Sequence, residues 1–94
     1  MKIEHIAFNV PQPVEMAQWY VKHMGMKIVW QGPGPAFGHF IADATGRTLI
    51  EIYVHPSVTP PNYAAMPATT LHVAFAVADL QADEQAADGE ADGR

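Results

Sequence analysis

Short runs of hydrophobic residues alternate with polar or small ones along the chain, and this alternation predicts β-strands. The runs are rich in β-branched and aromatic residues and end at proline, glycine or turn sequences. We expect five strands, at about residues 2–10, 26–31, 36–43, 48–55 and 69–77. The residues between the third and fourth runs, 44–47, have the composition of a tight hairpin turn.

Between the first two strands the hydrophobic spacing changes to that of a helix. Pro13 suits the first helical turn, and Gly25 is a natural C-terminal stop. The i, i+3, i+7, i+10 spacing predicts a buried stripe formed by Val14, Ala17, Val21 and Met24. Trp19 lies further round this helix, although Trp19, Tyr20 and Trp30 are all expected in the core.

The second half of the chain begins with a proline-rich stretch, residues 56–68, which predicts a linker. We therefore divide the chain into residues 1–55, the linker, and residues 69–94. In the last part, Asp79 could cap an Ala-rich helix that passes into an acidic tail.

A six-residue phrase occurs twice, once near the start of the chain and once after the linker. His5–Val10 and His72–Val77 agree at four of six positions, and a fifth position has Ile against Val. Such a recurrence in two β-rich segments indicates a structural unit used twice. Each copy opens with a histidine, a side chain able to bind a metal ion.

Composition narrows the range of functions. Hydrophobic residues make up 49% and charged residues 16%, which is typical of a globular domain. The five Lys and Arg residues are scattered, so we expect no nucleic-acid partner. The absence of cysteine excludes thiolate chemistry. No apolar run has membrane-spanning length and the first residues lack a signal-peptide pattern, so we expect no membrane partner and a cytoplasmic location.

Strand periodicity sorts the chemically active residues onto one face of the sheet. On the first and fourth strands, His5 and Asn9 share the parity of small residues, and Glu51 and Tyr53 oppose an isoleucine-rich face. His72 has the corresponding parity on the fifth strand. Small and polar residues on one face predict a cavity, and a carboxylate such as Glu51 is costly to bury without a partner. That partner could be a metal ion, or a salt bridge to Lys2 or Arg47.

The order strand, helix, three strands, and then a second His-led strand resembles the vicinal oxygen chelate superfamily. This superfamily includes glyoxalase I, extradiol dioxygenases and bleomycin-resistance proteins. The resemblance implies an α+β fold in which residues 1–55 form one βαβββ module and residues 69–94 form a partial second module (βα). It also implies a divalent metal ion (Zn, Ni, Co, Mn or Fe(II)) held by His5, Glu51 and His72, with Glu51 also catalytic. A fourth family ligand, a Glu on the last strand of the second module, has no counterpart here.

The resemblance leaves three functions open. The first is a metal-dependent lyase or isomerase, or a dioxygenase, acting on a small oxygen-bearing substrate. The second is a metal-free small-molecule binder, and the third is an inactive truncated fragment. Candidate substrate contacts are Asn9, His39 and Tyr53, with simple packing an equal alternative for His39. Because the second module is incomplete, we expect a homodimer in which two copies complete each other's sheet and cavity.

Overall fold

A four-stranded mixed sheet with one helix makes up the first part of the molecule. The computed structural model describes residues 1–47 and 49–78. The elements are β1 (His5–Asn9), α1 (Pro13–Met24), β2 (Lys27–Gln31), β3 (His39–Ala42) and β4 (Leu49–Tyr53). All four strands were expected from the sequence, and each is shorter than its predicted range.

The strand order places the first and last strands of the module side by side. The sheet runs β1-β4-β3-β2, with β1 parallel to β4 and the other two pairs antiparallel. A parallel pair needs a long crossover, and here α1, β2 and β3 supply it between β1 and β4. This arrangement confirms the α+β fold class.

Helix α1 begins and ends where the sequence predicts. Pro13 occupies the first turn, and Gly25 takes the left-handed conformation (φ 66°) at the C-terminus. The predicted buried stripe is partly wrong, because Val14 is 40% exposed, whereas Trp19 is buried as expected. The helix packs against β2, β3 and β4 but not against β1. No helix in the described part of the chain is long and apolar enough to cross a membrane.

The core lies between α1 and one face of the sheet. Its most buried large side chains are Val10, Ile41 and Ile52. On the predicted apolar face of β1, only the C-terminal end, next to Val10, is therefore buried. The prediction is wrong for Ile6, which is 52% exposed, because α1 does not reach over β1.

The connection between β3 and β4 is the predicted hairpin turn. The Asp43 carboxylate accepts hydrogen bonds from the Thr45 backbone N–H (3.0 Å) and from the Thr45 hydroxyl (2.6 Å). Gly46 has φ 72° and donates its N–H to the Asp43 carbonyl. The Thr45 hydroxyl bond, above all, lowers the pKa of Asp43.

The second compact unit begins at Asn62, inside the segment predicted as a linker. Its described part contains a single 3₁₀ turn at Tyr63–Ala65. The predicted fifth strand is wrong, since residues 71–78 have no regular secondary structure. A strand needs a neighbour to pair its backbone groups, and the described residues of this unit offer none. The predicted helix from Asp79 and the acidic tail lie outside the described residues.

Candidate functional site

A row of side chains crosses the sheet on the face opposite the buried isoleucines. Residues directly opposed in neighbouring strands share a face. Ala7 is aligned with Glu51, Glu51 with Phe40, and Phe40 with Trp30. Trp30 is 52% exposed, so its expected place in the core is wrong. Phe40 and Glu51, on the two central strands, are half-buried, so this face is partly accessible, as the sequence periodicity predicts.

The structure brings His5 and Glu51 together on this open face. His5 Nε2 lies 3.6 Å from Glu51 Oε1, and the two side chains are 35% and 26% exposed. The His5 ring also meets the Phe40 ring edge-on, at 5.1 Å between centroids. Two groups predicted from strand parity to share a cavity face are thus neighbours, and both can be reached from solvent.

Glu4 is a third participant, and it was not predicted. Its carboxylate lies 2.8 Å from His5 Nδ1, on the side of the ring away from Glu51. The Glu4 carbonyl accepts a hydrogen bond from the Leu49 N–H, so the β1–β4 pairing continues to this residue. The sequence signal for this contact was that a carboxylate residue, Glu4, directly precedes the candidate ligand His5.

Asn9 and Tyr53 are aligned at the other end of the same face. The Asn9 side chain accepts a hydrogen bond from the His55 N–H (2.8 Å) and donates one to the Val58 carbonyl (3.1 Å). It therefore holds the segment that follows β4. Tyr53 is half-buried on the open face, where a substrate contact was predicted.

His39 lies on the other face of the sheet. It is opposite Ile52, is only 4% exposed, and donates from Nδ1 to the Phe37 carbonyl at 2.7 Å. It lines a separate open pocket of about 430 Å³ together with Val14 and Gln18. The structure thus does not bring His39 to Glu51, because the register of β3 turns it toward α1.

His72 belongs to the second unit, which is described by itself. Its side chain is exposed, and Nδ1 donates to the Ala68 carbonyl at 2.7 Å. Within residues 1–47 and 49–78, no group of three or more His, Cys, Asp or Glu side chains could hold a metal ion. Of the predicted ligand set, the structure thus describes His5 and Glu51 as neighbours in the first unit.

Comparison with known families agrees with this geometry. The model of the Glyoxalase/Bleomycin resistance protein/Dioxygenase superfamily matches residues 2–89. The chain belongs to this superfamily. No curated protein and no solved structure matches the chain at a significant level. This match confirms the resemblance and the fold class. It identifies neither a substrate nor a metal ion.

The pair of side chains on this glyoxalase-superfamily sheet suits two ligands of a divalent ion. Imidazole nitrogen and carboxylate oxygen bind at about 2.0–2.2 Å from such an ion, so two neighbouring ligand atoms stand roughly 3 to 3.5 Å apart. The observed separation of His5 Nε2 and Glu51 Oε1, 3.6 Å, is close to that spacing. A hydrogen bond between these atoms would be shorter. The residues thus fit half of a metal site.

Proposed function

We propose that this member of the superfamily is a divalent-metal-dependent, glyoxalase-like protein acting on a small oxygen-bearing substrate, as a lyase or isomerase or as a dioxygenase. The observation that carries the proposal is the His5–Glu51 pair, 3.6 Å apart on an accessible sheet face. The core lies on the opposite face of the sheet, so His5 and Glu51 do not pack in it. Their partly exposed nitrogen and oxygen atoms can therefore bind a ligand.

In this proposal His5 and Glu51 are two protein ligands of the ion. The ion would be Zn, Ni, Co, Mn or Fe(II), all of which accept nitrogen and oxygen donors. When bound, it would polarise adjacent substrate oxygens. Such a site would keep open positions for the substrate, as catalytic metal sites do.

Glu51 also has a second oxygen available for chemistry. Oε1 is the atom near His5, whereas Oε2 is near Gly38, where an added Cβ would lie 3.9 Å away. Gly38 has no side chain at this position, which the Trp30 ring also borders, with its Cζ3 atom 3.4 Å from the same Cβ position. We therefore assign Glu51 Oε2 the role of accepting or returning a substrate proton.

A second candidate function is metal-free binding of an apolar ligand, and the aromatic surface of the same face favours it. The Phe40 ring lies 5.7 Å from the Trp30 ring and 5.1 Å from the His5 ring, measured between centroids. Three adjoining rings offer a surface on which a planar ligand can stack. In this alternative Glu51 supplies a hydrogen-bond acceptor and no chemistry.

Titration of the purified protein with each divalent ion, followed by calorimetry and by melting temperature, tests the first proposal. We expect binding of one ion and a rise in melting temperature, because a ligand of the folded state stabilises it. His5→Ala and Glu51→Gln should each weaken affinity by at least about tenfold. His55→Ala, which removes an exposed histidine away from the pair, is the matched control. Failure of every ion to bind or to change the melting temperature would overturn the metal proposal and favour the metal-free binder.

The proposed assembly is a homodimer formed through β1. This strand is at the edge of the sheet, and its outer side has no paired strand in the described part of the chain. Ile6 is 52% exposed there, and α1 does not cover it. An accessible apolar edge strand is a ready site for pairing with another chain, and a second copy presents the same edge.

A further inference from the structure

The hydrogen bond between Glu4 and His5 fixes which ring nitrogen carries the proton. The Glu4 carboxylate lies 2.8 Å from His5 Nδ1. An ionised carboxylate can only accept, so Nδ1 must donate. In the neutral ring, Nε2 then presents its lone pair, and this atom is the one that lies 3.6 Å from Glu51 Oε1. Two electron-rich atoms facing each other at this distance favour a cation between them.

The two histidines of the repeated phrase share this tautomer. His72 Nδ1 lies 2.7 Å from the Ala68 carbonyl, which also only accepts. His55 has the other tautomer. Its Nδ1 accepts a hydrogen bond from the Ser57 N–H, so in the neutral ring its proton must lie on Nε2. The Nδ1–H form is therefore set by the particular neighbours of His5 and His72, and it leaves Nε2 available in both.

We infer that Glu4 is a positioning residue, which holds His5 in the Nδ1–H form and turns Nε2 toward the metal. This inference rests on the proposed metal-dependent function. The hydrogen bond from the Leu49 N–H to the Glu4 carbonyl (3.1 Å) holds the Glu4 backbone in place. The Glu4 side chain therefore reaches the His5 ring from a fixed backbone position. A carboxylate behind a ligand histidine orients the ring and makes the ligating nitrogen more basic.

The experiment compares Glu4→Ala and Glu4→Gln with the parent protein, and uses Glu15→Ala, an exposed acidic residue of α1, as the matched control. Long-range proton–nitrogen NMR of the metal-free protein at mildly alkaline pH reports the tautomer of each histidine. His39 and His55 provide internal reference signals for the Nδ1–H and Nε2–H forms, and His5→Gln identifies the His5 signal. Calorimetry with zinc alone gives the affinity.

Glu4→Ala should shift His5 away from the Nδ1–H form and weaken zinc binding about 10- to 100-fold. Glu4→Gln keeps an acceptor oxygen, so it should restore the tautomer and part of the affinity, whereas Glu15→Ala should change neither. An unchanged His5 tautomer in Glu4→Ala overturns the inference, whatever the affinity. If the parent protein binds no zinc but Glu4→Ala still shifts the tautomer, the metal proposal fails and the positioning of His5 by Glu4 stands.

Discussion

Asn9 shows how one side chain of the candidate face can serve the fold. Both ends of its amide bond to the backbone of the segment that follows β4, at His55 and Val58. This segment continues from the strand that carries Glu51. Asn9 therefore anchors the end of β4, the strand that carries Glu51.

We predict that Asn9→Ala lowers the free energy of unfolding by about 1–2 kcal/mol, because two hydrogen bonds of net value near 1 kcal/mol are lost. Urea unfolding measures this change, and hydrogen exchange of the His55 amide should become faster. Gln12→Ala is the control, since Gln12 makes no side-chain capping bond and is exposed. Equal stability of the Asn9 and Gln12 variants would show that Asn9 has no anchoring role.

The residues of the site differ in how far they could be predicted. The shared face of His5 and Glu51 follows from the alternation of apolar and polar positions, a property of each strand alone. His39 could not be assigned in that way, because its face depends on the register that sets it opposite Ile52. The Glu4 contact depends on side-chain orientation just before β1, which periodicity does not specify.

At the scale of elements, strands formed where partners exist. β1 to β4 pair in one sheet, and their positions agree with the hydrophobic pattern. Residues 72–77, which repeat the phrase His5–Val10 at four of six positions, have a similar propensity but no strand conformation. Propensity thus predicts a possible strand, and pairing decides whether it forms.

The β3–β4 turn gives a prediction on pH. The Thr45 hydrogen bonds stabilise the ionised Asp43, so its folded pKa lies below its unfolded value. A lowered pKa contributes stability above the unfolded pKa, and this contribution is lost as pH falls through the folded pKa. Asp43→Asn should therefore melt at a lower temperature than the parent at neutral pH, and the difference should shrink in acid.

Thermal melts of the two proteins between neutral and acidic pH measure this difference. Glu15→Gln, which removes a charge from the surface of α1, serves as the control and should show no comparable dependence. A constant gap between Asp43→Asn and the parent across the acidic range would contradict the role of the ionised carboxylate in the turn.

At the scale of the molecule, the sheet has two edges of different character. β1 and β2 are the edge strands, and α1 packs against β2 but not against β1. The βαβββ order was readable from the sequence because each element carries its own periodicity and end signals. The lack of helix packing over β1 could not be read from the sequence, since it depends on how α1 crosses the sheet.

The proposed homodimer can be tested by placing a charge on each edge in turn. Ile6 on β1 and Val29 on β2 are matched, being 52% and 51% exposed. Light scattering after size exclusion at micromolar concentration should show a dimer for the parent and for Val29→Lys, and a monomer for Ile6→Lys, because a lysine on an edge strand opposes pairing. A monomeric parent would refute the dimer, whereas dissociation by Val29→Lys alone would place the interface on β2. Both exposed positions lie outside the core, so neither substitution should unfold the chain.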